Sequence, residues 1–253
     1  MGYIYCVGIG PGATSHLTKE AIDALIASSV IVGYKTYVDL ISPIIGERQV
    51  IATGMMKEVE RAKIAVELAQ DGKVVAVVSS GDSGIYGMAG LVIEVINELG
   101  IELGQDKIGL RVIPGIPAFV AAASLLGAPL VHDFCAISLS DLLTPWKVIE
   151  KRLRSAGEGD FVVALYNPRS KKRDWQLQSA LAILGEYRDE KTPVGLVKRA
   201  MRQGETVEIC HLSNVPIEEV DMESILIVGN SNTFEVGPFM VTPRGYFDKY
   251  EIL

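Results

Sequence analysis

The sequence predicts an α/β protein of two domains, the first built on a mostly parallel sheet and the second on a mixed one. Short β-branched runs alternate with segments of helical period through the first half. Those runs are almost continuously apolar, as strands covered on both faces must be. In the second half only a turn, with Gly204 in it, separates the strand-like runs Pro193–Lys198 and Thr206–His211. A hairpin that tight requires antiparallel pairing.

Taken in order, Tyr3–Ile9 reads as the first strand. Thr18 stands where it can cap a helix to about Ser28, with Ala21, Ile22, Leu25 and Ile26 on one face. Val30–Val32 and Gln49–Ala52 follow as strands, and Lys57–Gln70 as a helix with Val59, Ala62, Ala65, Val66 and Ala69 turned inward. Lys73–Val78 is a strand, Tyr86–Leu99 a helix stopped by Gly100, and Gly109–Ile113 a fifth strand. Pro114-Gly115-Ile116-Pro117 breaks this alternation and sets the expected domain division at 1–114 and 115–253. A small-residue helix, Ala118–Leu126, opens the second part, and Phe134–Leu139 is its first strand. Thr144 reads as an N-cap, with Pro145 at the first position of a helix to about Arg154. Phe161–Tyr166 is a strand and Asp174–Tyr187 a helix, and the hairpin strands and Ser224–Val228 complete the second sheet.

At 253 residues the chain can bury roughly three-quarters of its unfolded surface without a staple. Its 24 Lys+Arg against 31 Asp+Glu, a net charge of −7, argues against general nucleic-acid binding. Cys6, Cys135 and Cys210 form no C-x-x-C, and His16, His132 and His211 lack ligand spacing, so reduced thiols and no metal are expected. The longest uncharged apolar stretch, 118–131, is 14 residues, short of the roughly 20 a membrane span needs. With no signal peptide read at the start, the expected location is cytoplasmic.

Three Gly/Pro-rich turns follow strands: V-G-I-G-P-G at 7–12, V-S-S-G-D-S-G at 78–84 and I-P-G-I-P-A at 113–118. Loops at the carboxyl ends of parallel strands gather in one crevice, where ligands bind, and glycine lets a ligand reach the backbone. Gly8, Gly10 and Ala13 match a dinucleotide fingerprint. Against it, Pro11 removes an N–H donor, and the second strand ends Val32-Gly33-Tyr34 without the acidic residue that binds a ribose. A purely structural turn stays open there. Asp82 either caps the next helix or meets a cationic group such as an amino-acid ammonium.

Together these three turns are far more specific than any one of them. With G-A-P-L-V-H-D at 127–133, L-Y-N-P-R-S at 165–170 and I-V-G-N-S at 227–231, the whole chain resembles the tetrapyrrole methylases, the class III methyltransferases that use S-adenosylmethionine. Further cues are G-Y-K-T-Y at 33–37, S-L-S-D-L-L-T-P-W at 138–146, L-Y-N-P-R-S-K-K-R at 165–173 and M-V-T-P-R-G-Y at 240–246. These resemble the members that methylate C-17 of a corrin precursor, precorrin-3B or cobalt-factor III, with contraction of the ring.

The resemblance implies two α/β domains with the active cleft between them and S-adenosylmethionine as cofactor. By that likeness Pro11 lies at the cleft, and Ser80, Gly81 and Asp82 meet the methionine part. Ile85 and Tyr86 line the same pocket. Pro117 and Ala118 stand where many relatives carry Thr-Ser, which leaves backbone contacts there. Asn167, Ala200 and the Val228–Gly229 pair complete the cofactor set. Gly10, Ser140, Arg169 and Arg244 are the expected substrate contacts. Lys171, Lys172, Arg173, Arg199 and Arg202 are further cations for a polycarboxylate. Ring contraction calls for a general base, and Asp82, His132 and Asp141 are the candidates. The likeness also implies a homodimer, and the acidic charge and short apolar stretches lead us to expect no nucleic acid or membrane as partner. Three alternatives stay open: methylation at another precorrin position, a nucleotide-binding sensor, and a nicotinamide-dependent oxidoreductase.

Overall fold

The apolar runs of the first half pair side by side into one parallel sheet. In the computed structural model, which describes residues 2–104, 107–170 and 173–250, the chain divides into two units, Met1–Ala118 and Phe119–Leu253. The first comprises β1 (Tyr3–Gly8), α1 (Lys19–Ala27), β2 (Val30–Tyr34), α2 (Lys35–Leu40), α3 (Ser42–Ile45), β3 (Gln49–Thr53), α4 (Glu58–Gln70), β4 (Val74–Ser79), α5 (Met88–Glu98) and β5 (Gly109–Ile113). The strand order is β3-β2-β4-β1-β5 and every pairing is parallel. Alternate residues feed opposite faces. Ile4, Cys6, Val75 and Val77 pack with α4 and α5, while Val7, Ile9, Ala76 and Val78 pack with α1.

Three details differ from expectation. Ile26 and Val59 are 52% and 53% exposed, and Ala24 and Arg61 take the inward positions instead. Arg61 can be buried because its guanidinium donates to Thr53 Oγ1, the Gly54 carbonyl and Met88 Sδ. Burial nevertheless lowers its pKa, an effect that Glu58 opposes. The helix expected from Tyr86 begins at Met88, because Tyr86 is left-handed (φ +52°).

The second unit holds α6 (Ala118–Leu126, entered from the last residue of the first), β6 (Gly127–Ala128), β7 (Phe134–Ser138), α7 (Trp146–Glu158), β8 (Val162–Tyr166), α8 (Trp175–Gly185), β9 (Pro193–Lys198), β10 (Thr206–His211), β11 (Ser224–Val228), β12 (Phe234–Val236), β13 (Phe239–Val241) and α9 (Tyr246–Lys249). Its main sheet runs β10-β9-β11-β8-β7. β7 and β8 are parallel, β11 is antiparallel to both β8 and β9, and β9–β10 is the expected hairpin, so the sheet is mixed. A small sheet, β12-β13-β6, lies apart from it. Pro145 has ψ 138° and therefore precedes α7 as its N-cap instead of occupying its first turn. No helix among the described residues is long and apolar enough to cross a membrane.

Candidate active site

In the first unit the three glycine turns meet at the carboxyl ends of adjacent strands β4, β1 and β5. The Gly10 N–H donates to the Gly81 carbonyl at 3.0 Å, and the Gly81 N–H returns a bond to Gly10 at 2.7 Å. Both residues are left-handed at φ +69°, a conformation glycine adopts without a steric penalty. The third turn presses in behind them. A Cβ on Gly115 would lie 2.2 Å from the Gly81 carbonyl oxygen, and one on Gly8 would lie 2.6 Å from the Gly115 nitrogen. Pro117 and Ala118 flank Gly81, 3.7 and 3.5 Å from where its Cβ would be.

Asp82 fastens this arrangement. Its Oδ1 accepts from the Gly84 N–H at 2.7 Å and its Oδ2 from the Gly115 N–H at 3.0 Å. Each carboxylate oxygen keeps a second lone pair, so the partly exposed group can still meet a ligand's ammonium. Ser83, fully buried, donates to the carbonyls of Cys6 and Ile113 and ties the second turn to β1 and β5. Ser80 and Ile85 are partly buried beside it, and Tyr86 is exposed. The wall made by Gly10, Pro11, Gly12, Gly81 and Gly115 carries almost no side-chain bulk. Gly10 has both main-chain groups committed to Gly81, so it offers a ligand bare backbone surface instead of a donor.

In the second unit the carboxyl ends of β7 and β8 are held by side chains. Asn167, left-handed at φ +50°, donates from Nδ2 to Ser138 Oγ at 3.0 Å, and the Ser140 N–H donates to the same oxygen at 3.2 Å. Arg173, 9% exposed, donates to the carbonyls of Asn167 and Leu139. Burial lowers the Arg173 pKa, with nearby Asp141 opposing that shift. Gln176 Nε2 donates to Asp141 Oδ2 at 2.9 Å, and Trp146 and Trp175 meet edge-on at 4.8 Å. Ala200 follows β9 at the same end of the sheet, between the left-handed Arg199 and Met201.

Several expected roles need correction. β11 runs against β8 and β9, so Val228 and Gly229 lie at the opposite end of the sheet from Asn167 and Ala200. A five-residue strand is about 17 Å long. Gly229 is also closed, its N–H bonded to Pro193 and its carbonyl to Arg188. The expected cofactor set is therefore split between the two ends of this sheet. His132 precedes β7 and is exposed, at that same far end, whereas Asp141 follows β7. The two cannot serve one reaction centre on this sheet. Arg169 donates to the Ile217 carbonyl and pairs with Glu218 at 2.7 Å, and Arg199 pairs with Glu223 at 2.7 Å, so both are committed internally. Arg173 is a buried brace, not a surface cation. Arg244 is exposed and forms no ion pair among the described residues. Lys171 and Lys172 lie outside the described residues. The bracing residues Ser83, Ser138 and Gln176 escaped sequence reasoning, because a buried polar side chain leaves no periodic trace.

A glycine-walled set of turns at the carboxyl ends of a parallel sheet is where an open α/β sheet binds a small molecule. Residues 3–216 match the family described as tetrapyrrole (corrin/porphyrin) methylases, and the chain belongs to that family. It is 52% identical over 240 residues to the probable cobalt-factor III C(17)-methyltransferase of Salmonella typhimurium, covering 95% of this chain and 98% of that protein. It is 39% identical over 250 residues to the precorrin-3B C(17)-methyltransferase of a Sinorhizobium species, covering 97% of each. The cobalt-factor III methyltransferase of Priestia megaterium is 51% identical over 99% of this chain, which spans 46% of that longer protein. Among solved structures, the methyltransferase CobJ superposes with a TM-score of 0.89 at 39% identity, covering 96% of this chain and 100% of CobJ. A Thermus thermophilus uroporphyrin-III C-methyl transferase complexed with S-adenyl homocysteine shares the fold, with a TM-score of 0.67 at 21% identity over 90% of this chain and 97% of that one.

Proposed function

We propose that this chain transfers a methyl group from S-adenosylmethionine to C-17 of a corrin precursor in cobalamin synthesis, with contraction of the ring. The observation that carries this is the end-to-end identity of 52% to the Salmonella protein. That value, set against 39% to the precorrin-3B enzyme, favours cobalt-factor III as substrate. S-adenosylmethionine supplies an electrophilic methyl on a sulfonium and so asks the protein for alignment more than for a nucleophile. It lies, in this reading, against the glycine turns of the first unit, where a lack of side-chain bulk lets a ligand reach the main chain. In this reading Gly81, Pro117 and Ala118 meet the cofactor through main-chain atoms, Pro11, Ser80, Ile85 and Tyr86 border it, and Asp82 receives its ammonium. In the second unit Asn167 and Ala200 belong to the cofactor set. Ser140 and Arg244 face the tetrapyrrole, and Asp141 is the candidate base for ring contraction.

The test is incubation with methyl-labelled S-adenosylmethionine and either cobalt-factor III or precorrin-3B, reading product mass and the ultraviolet–visible spectrum. Labelled product from cobalt-factor III supports the reading, and product from precorrin-3B alone shifts the substrate to the metal-free form. No labelled product from either overturns it.

A further inference from the structure

The turn after β7 has a braced base and an apolar tip. At the base, the Leu139 N–H donates to the Tyr166 carbonyl at 2.9 Å, the Ser140 N–H to Ser138 Oγ, and Asp141 accepts from Gln176. Arg173 closes the base from below by donating to the Leu139 carbonyl at 3.3 Å. Gln176 is 3% exposed, so this anchor is built into the unit's interior. The tip, by contrast, presents Leu142 and Leu143, 70% and 93% exposed. One exposed leucine is ordinary. Here two adjacent ones are held on a fixed base at the carboxyl end of β7, the same end of the sheet as Asn167 and Ala200.

We infer that Leu142 and Leu143 form an apolar contact for the flat face of the tetrapyrrole, and so help set specificity for that substrate. The occupant follows from chemistry. A polycarboxylate macrocycle has charged edges and an apolar face, and only the face gains from two leucines. Removing their area from water on binding favours the complex, while the braced base limits the ordering cost. This inference rests on the proposed methyl transfer to a tetrapyrrole.

The test compares the wild type, the Leu142→Ser/Leu143→Ser double variant and a control, Leu99→Ser, which alters an exposed leucine at the C-terminal end of α5. Calorimetry gives Kd for S-adenosylhomocysteine, and turnover of cobalt-factor III gives kcat and KM. The expected result is a KM for cobalt-factor III raised roughly tenfold or more in the double variant, from lost apolar burial. S-adenosylhomocysteine affinity and Tm should stay at wild-type values, and the control should be unaffected. A KM within twofold of wild type overturns the inference, and so does an equal loss of S-adenosylhomocysteine affinity, which would make the turn merely structural. If the double variant unfolds early, Leu143→Ser alone is read by the same criteria. Failure of the proposed function looks different: wild type and control alike would then give no product.

Discussion

The two units hold the carboxyl ends of their strands differently: the first adds close backbone packing of glycine turns to the side-chain bonds of Asp82 and Ser83, and the second relies on side chains. In the first, turns touch backbone to backbone, with Gly8 and Gly115 leaving no room for a methyl group and Gly81 held left-handed at φ +69°. In the second, the turns after β7 and β8 are held by side chains: Asn167 on Ser138, Arg173 on two carbonyls, Gln176 on Asp141. The first arrangement suits a ligand that must reach the main chain. It should tolerate polar change poorly at Asp82 and Ser83, and added volume poorly at Gly8 and Gly115. The second should tolerate modest volume change but not the loss of a hydrogen-bonding group.

The largest effect should follow from adding a methyl group to the first unit. Gly115→Ala places a Cβ 2.2 Å from the Gly81 carbonyl oxygen. Overpacking of this kind costs about 3 kcal/mol, read by urea denaturation, and should abolish measurable S-adenosylhomocysteine binding. The same change at Gly90, on α5 with nothing within 4 Å, should instead stabilise the protein by about 0.5 kcal/mol. Equal behaviour of the two variants would break the comparison.

Next come the polar fasteners. Asp82→Ala strands the N–H groups of Gly84 and Gly115, and Arg173→Met strands the carbonyls of Leu139 and Asn167. Each should cost about 1–3 kcal/mol. Hydrogen exchange should locate the first loss in Met1–Ala118 and the second in Phe119–Leu253.

Alkaline pH probes both units through one buried thiol each. Burial pushes Cys6 up to about 12 and Cys210 up to about 11 from the ordinary 9.0. A raised folded pKa means the unfolded chain loses its proton first. Stability is therefore intact below pH 9.0 and falls as pH rises toward 11 in the second unit and 12 in the first. The slope is at most about 1.4 kcal/mol per pH unit and thiol. Denaturation at stepped pH on Cys6→Ala, judged by slope and not midpoint, should show a shallower decline. The smallest effect belongs to His132→Ala, at the far end of β7, which should leave turnover within twofold of wild type.

Much of the first unit was legible because its chemistry lies in turns. Glycine and proline after apolar runs mark the strand ends, so 7–12, 78–84 and 113–118 stand out in the sequence. Arg61 did not, since a helical stripe containing a charge reads as solvent-facing, and only Thr53, Gly54 and Met88 make its burial tolerable. The short helices α2 and α3 and the strands of the small sheet fall below one clear period of any pattern. The misplacement of Val228 and Gly229 has a different origin. An apolar run identifies a strand but carries no direction, and the antiparallel course of β11 moved its end across the sheet. Arg169 stood out as a cation, but its partner Glu218 lies 49 residues away in sequence, a pairing only the fold reveals.

In the proposed function the three turns of the first unit take the cofactor through their main chain. Hydrogen–deuterium exchange with and without S-adenosylhomocysteine tests it most directly. Slowed exchange is expected, confined within the first unit to residues 9–12, 80–87 and 115–118. Protection falling on other segments of that unit, or none at saturating ligand, would contradict it.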